Sequence, residues 1–239
     1  MDEHCSSWYD LLPIQLNSAE QNFVSILLVL LTLISLAAYS SYKLRNIETY
    51  IIPSSNLSII VFFEIIVELF INMMKSTIGQ DYEEHVPLIG SLGLFILFSN
   101  LLGLFPGFSP PTDNIGTTLT CGFIVFCYFN YKGFKKNGFN HIIHIANPIG
   151  KKWGWFLSPL LFPIEFSSIA VRPLSLGIRL AGNMLGDHKI LFAFAGIMPL
   201  MLPIPFLILG LFVAIIQTIV FCMLSCVYIS LHVKKIGNH

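Results

Sequence analysis

The sequence predicts an all-α integral membrane protein, with five transmembrane helices and one interfacial amphipathic helix in a single membrane domain over 1–239. Three observations carry that prediction. Hydrophobic residues make up 55% of the chain and charged residues only 11%, against roughly 25% charged in soluble domains. Several uncharged apolar runs are long enough for a helix to cross a hydrocarbon core of about 30 Å. The lysines cluster at one end of those runs, the asymmetry that orients a multi-pass chain.

The first span, 21–42, lies in a run without a charge from Gln21 to Tyr42. Asp2, Glu3, Asp10 and Glu20 precede it and Lys43 and Arg45 follow it, so its N-terminal end faces outward and its C-terminal end the cytoplasm. The acidic N-terminus lacks the basic segment of a signal or transit peptide, and no cleaved leader is expected. The second span, 86–106, opens the uncharged run Val86–Thr112, which closes in the breaker-rich turn Phe105-Pro-Gly-Phe-Ser-Pro-Pro-Thr-Asp-Asn114. The third, 115–131, is followed by Lys132, Lys135, Lys136, Lys151 and Lys152, which hold its end inside. A fourth segment, 153–198, is too long for one perpendicular crossing and carries Glu165, Arg172, Arg179, Asp187, His188 and Lys189. The fifth, 206–231, ends at Lys234 and Lys235, which puts the C-terminus inside as well.

Residues 57–76 are apolar but carry Glu64, Glu68, Asn72 and Lys75 on one stripe at helical spacing. They read as a helix at the cytoplasmic interface, because a crossing here would throw the later lysine clusters to the opposite side. A sixth span with its glutamates turned toward other helices is the alternative. Thirteen basic residues balance thirteen acidic ones, which argues against a nucleic-acid partner. Cys121, Cys127, Cys222 and Cys226 fall in apolar segments and read as packing residues, with no disulfide or metal spacing. His141 and His144 lack a nearby carboxylate and read as a solvated loop. No cofactor is expected.

The fourth segment holds the chemistry. At about 100° per residue, Glu165, Arg172, Arg179, Asn183 and Gly186 share a sector of roughly 60° on one helix face. A guanidinium cannot escape desolvation by neutralising, and in a bilayer it costs from about 3 to more than 10 kcal/mol, so Arg179 requires a function or a partner. Asp187 borders the stripe and His188 projects to the opposite side. Pro173 removes one backbone bond to the preceding turn, a point where the helix can kink between Arg172 and Arg179. Gly177, Gly182 and Gly186 are positions at which another helix can approach closely. Arg172 has two readings, a pair with Glu165 or a partner to backbone carbonyls, and Glu165 is equally a channel carboxylate. Asn100 reads as bonded to a neighbouring helix.

The stretch Arg172-Pro-Leu-Ser-Leu-Gly-Ile-Arg-Leu-Ala-Gly-Asn183 resembles the signature of subunit a of the bacterial-type F-type rotary ATP synthase. Phe98-Ser-Asn-Leu-Leu-Gly-Leu-Phe-Pro-Gly-Phe108, Pro163-Ile-Glu165 and Gln217 recur in the same order, and the likeness covers about Leu57 to Ser230. The resemblance implies a non-catalytic stator with two long, tilted helices against a ring of c subunits, each ring subunit bearing one mid-membrane carboxylate. It implies two offset proton half-channels that couple proton passage to ring rotation and ATP synthesis. Arg179 matches the family's essential arginine, Asn183 the asparagine one turn on, and Gln217 the glutamine that faces the arginine. Asp187 and His188 occupy the place of a protonatable group of the outer half-channel. Gly210 departs from the pattern, since many members carry Glu or His seven residues before that glutamine, and Ala181 stands where phenylalanine is common. The implied partners are the c-ring, peripheral-stalk b subunits, other ATP synthase subunits and the lipid bilayer. The implied location is the bacterial inner membrane. Two other classes fit less well: a secondary transporter needs related halves with interrupted helices, and no internal repeat is visible; an intramembrane enzyme needs a nucleophile with its base, or a metal cluster, and none is convincing.

Overall fold

The computed structural model describes residues 18–44, 59–105, 108–138, 154–197 and 203–233. Among them the chain is helical, with no strand. In order the helices are α1 (Ser18–Leu44), α2 (Ile59–Ile78), α3 (Val86–Leu102), α4 (Ile115–Asn137), α5 (Gly154–Ile197) and α6 (Pro203–Val233), with 3₁₀ turns at Gln80–Glu84 and Pro111–Asp113.

Local chemistry sets the helix ends. Gly79, at φ 89°, breaks the chain after α2 in a conformation only glycine adopts freely. Pro87 lies in the first turn of α3, where its missing N–H costs nothing. The Asn114 side chain caps α4 by accepting from the Gly116 N–H at 2.8 Å. At its far end Gly138, at φ 55°, stops α4 beyond Lys135 and Lys136, whose charges oppose the helix dipole. By composition and length, Glu20–Tyr42 and Pro203–His232 are each apolar and long enough to cross a bilayer, whereas α3, with 17 residues, is apolar but shorter. The 44 residues of α5 run unbroken through Pro173, about 66 Å of helix at 1.5 Å per residue.

The core forms around α6, against which α2, α3, α4 and α5 all pack. Phe70 and Met74 from α2, Ile89 and Ile96 from α3, Phe129 from α4, and Leu180 from α5 meet Phe221, Cys222, Cys226 and Ile229 there. Two glycines permit close approach between helices. A Cβ on Gly93 would lie 2.7 Å from the Cys222 sulfur, and one on Gly177 would lie 3.0 Å from the main-chain Cα of Leu119. Gly182 and Gly186 instead face open space. Cys121, Cys222 and Cys226 are buried and Cys127 is exposed; Cys5, His141 and His144 lie outside the described residues.

Outside the spans, the turn before α3 is clasped to the end of α4. Lys132 pairs with Glu84 at 3.0 Å and Lys136 with Asp81. Each lysine holds its partner's carboxyl below the usual range. Between these pairs His85 is fully buried, its Nδ1 2.9 Å from the Tyr128 hydroxyl. That hydroxyl donates to the Glu84 carbonyl, so its oxygen accepts from Nδ1–H and the His85 Nε2 lone pair is left without a partner. Burial holds the His85 pKa down.

Candidate functional site

Two polar groupings are built where α5 packs on α6 and on the Pro111–Asp113 turn. The first contains Arg179, which stands on an exposed face of α5 and makes no hydrogen bond or ion pair among the described residues. Elsewhere on α5 Val171, Leu174 and Ile178 are exposed, as are Ile215 and Ile216 of α6. One turn on, Asn183 donates through Nδ2 to Oε1 of Gln217 at 2.9 Å. Gln217 is 5% exposed, so this bond fixes a buried amide and ties the two helices together beside the free guanidinium. The partner of Gln217 is thus Asn183.

The second grouping lies nine residues further along α5, about 13 Å away. His188 is buried, with Nε2 2.8 Å from the Gly103 carbonyl and Nδ1 3.7 Å from Oδ2 of Asp113. A carbonyl only accepts, so Nε2 carries a proton and Nδ1 turns toward the carboxylate. Asp113 Oδ1 and Asp187 Oδ2 are both buried without a protein partner, which marks them as sites for water or a proton. Thr112 donates to Asn100 Oδ1 at 2.9 Å, and Asn100 Nδ2 reaches the Ala214 carbonyl of α6 at 3.5 Å. That network anchors the Pro111–Asp113 turn beneath His188.

The sequence patterns did not single out Asp113, which sat within a turn described only by its prolines. An acidic residue immediately before an uncharged apolar run was the available signal. Gly210 is buried, and a Cβ there would lie 2.9 Å from the end of the Leu104 side chain. Leucine therefore fills the space a larger residue at this position would use. The backbone of Glu165 lies within α5, but its side chain is outside the described residues.

The profile of the ATP synthase A chain family matches residues 22–230. This chain belongs to that family. It is 39% identical to ATP synthase subunit a of Sorangium cellulosum, over 92% of this chain and 84% of the relative. It is 38% identical to subunit a of Bdellovibrio bacteriovorus, over 82% and 84% of the two chains. With subunit a of Geobacter sulfurreducens the figures are 42% identity over 71% and 72%. As a member of the ATP synthase A chain family, the chain is a membrane-embedded ATP synthase subunit, and its exposed apolar helix faces suit that setting. The two polar groupings both fall inside the matched region.

Proposed function

We propose that this chain is the membrane stator of an F-type ATP synthase, offering two offset proton half-channels to the carboxylates of a c-ring and coupling proton passage to rotation. The observation that carries the reading is Arg179: a fixed cation, exposed on α5 and without a partner among the described residues. A mobile carboxylate presented by another subunit completes it. Within about 4–6 Å of a guanidinium the ionised carboxylate is favoured by about 1.4 to 4 kcal/mol, so the proton leaves there. Facing lipid, the same carboxylate is driven back to its neutral form by desolvation. Rotation through lipid then follows protonation, and Arg179 blocks a proton from crossing directly between the half-channels.

The grouping of His188, Asp113 and Asp187 supplies the outer half-channel in this scheme. Its orphaned carboxylate oxygens support a hydrated route to the membrane surface. Asp113 and Asp187 bring carboxylates to the region where Gly210 provides none. Asn183 and Gln217 form the polar step between that grouping and Arg179, and Glu165 lies on the inner half of the same helix as a carboxylate for the second half-channel. Five crossings, with α2 at the cytoplasmic interface, the N-terminus outside and the C-terminus inside a bacterial inner membrane, agree with the lysine distribution. The lengths of α5 and α6 suit helices tilted along a ring. Peripheral-stalk b subunits and the rest of the synthase complete the assembly, and the chain itself performs no covalent chemistry.

The test is ATP-driven acidification of inverted membrane vesicles. Wild-type vesicles are expected to acidify without sodium, and Arg179→Ala to abolish acidification while the synthase still assembles. Normal pumping by Arg179→Ala refutes the reading.

A further inference from the structure

Arg179 is bracketed along α5 by two ties to α6. Outward, one turn away, is the Asn183–Gln217 hydrogen bond. Inward, seven residues or about 10 Å away, the guanidinium carbon of Arg172 lies 5.6 Å from the centroid of the Tyr228 ring. Tyr228 is itself held: its ring centroid is 6.3 Å from that of the fully buried Phe129 of α4, and its carbonyl is 2.8 Å from His232 Nδ1. The His232 ring in turn lies 4.5 Å from Phe129. Arg172 therefore docks on an aromatic cluster shared by α4 and α6. The contact falls beside one of the prolines of α5, Pro173, which has no N–H to give to the preceding turn.

We infer that the Arg172–Tyr228 cation–π contact is a positioning device: it sets the angle of α5 on α6 beside the proline, and so fixes the depth and direction at which Arg179 is presented. Arg172 and Tyr228 are positioning residues, and neither touches the translocated proton. The inference rests on the role proposed above for Arg179. With one tie on each side, the segment carrying Arg179 cannot swing while a ring carboxylate approaches and departs. A cation–π contact of this kind corresponds to roughly a 3- to 30-fold change in an equilibrium, which is the expected loss of alignment when it is removed.

The experiment measures protons pumped per ATP hydrolysed in inverted vesicles containing the whole synthase. Tyr228→Phe keeps the ring and Arg172→Lys keeps the cation, so both should stay within about twofold of wild type. Tyr228→Leu and Arg172→Met, which keep apolar bulk but break the contact, should each lower the ratio by about 3- to 30-fold. The double variant should be no worse than either single one, because both remove the same interaction. Losses that multiply in the double variant, an unchanged ratio in Tyr228→Leu, or equal losses in Arg172→Lys and Arg172→Met would each overturn the inference in favour of simple packing. Should Tyr228→Leu fail to assemble, Arg172→Met against Arg172→Lys decides alone. Arg179→Ala runs alongside: normal pumping there refutes the functional reading itself, whereas its loss beside a normal Tyr228→Leu refutes only the positioning role.

Discussion

Replacing Gly177 and Gly182 separately by alanine distinguishes a glycine that serves the chain's own packing from one that faces outward. In a helix interior, Gly→Ala gains about 0.5–1 kcal/mol from propensity alone. At Gly182 nothing of this chain lies within 4 Å of the new Cβ, so no clash within the subunit offsets that gain. At Gly177 the Cβ meets Leu119 at 2.9 Å from its Cδ2, 3.0 Å from its Cα and 3.1 Å from its main-chain nitrogen. Side-chain rotation relieves only the first, so the overpacking cost of about 1–3 kcal/mol exceeds the propensity gain. The net expectation is a loss of about 1–2 kcal/mol, or roughly 2–8 °C in unfolding temperature for a chain of this size. The buried thiols of Cys121, Cys222 and Cys226 provide the assay: their alkylation on heating, read by mass spectrometry in the detergent-purified synthase, reports opening of this subunit, with exposed Cys127 as the constant reference. Gly177→Ala should alkylate at lower temperature, and adding Leu119→Ala should not restore it because the main-chain contacts remain. An unfolding temperature for Gly177→Ala at or above wild type would show that α4 and α5 do not approach as described.

Two further outcomes are expected. Asp113→Ala should lower ATP-driven pumping by on the order of tenfold or more, because the grouping around His188 loses the carboxylate that faces its Nδ1, with Asp113→Glu intermediate; pumping within twofold of wild type excludes Asp113 from the path. Burial lowers the native pKa of His85, so folding favours its neutral form. That contribution is complete above the ordinary histidine value of about 6.5 and is lost as pH falls through it toward the lowered native value. The unfolding temperature should therefore drop between about pH 7.5 and pH 5.5, and drop less in His85→Gln; parallel curves would show that His85 does not titrate on unfolding.

The helical character of the chain and its family were legible in the sequence, because long uncharged runs with a guanidinium among apolar residues suit few settings besides a working membrane helix. Which faces are buried was not. In lipid the outer surface is as apolar as the core, so exposed Ile215 and Ile216 and buried Phe221 and Ile229 of α6 look alike in a hydropathy pattern. The bonds that shape the site join distant positions: Asn183 to Gln217 across 34 residues and His188 to Gly103 across 85. Helical periodicity placed Arg179 and Asn183 on one face, but it carries no information about which helix lies opposite. The contact between Leu104 and Gly210 was hidden for the same reason, since a missing side chain leaves no trace of what occupies its space.

The central position of α6 has a consequence in time. The four helices that pack on it, α2 through α5, all leave the ribosome before it does. At about 5–20 residues per second, α2 waits several seconds for the partner that covers Phe70 and Met74. Until then the polar turn at Asn100 and Thr112 has no Ala214 carbonyl to meet, and Asn183 has no Gln217. The native arrangement is therefore completed by the last helix described, in one late step, and the earlier helices spend their waiting period with lipid or an insertion factor in its place.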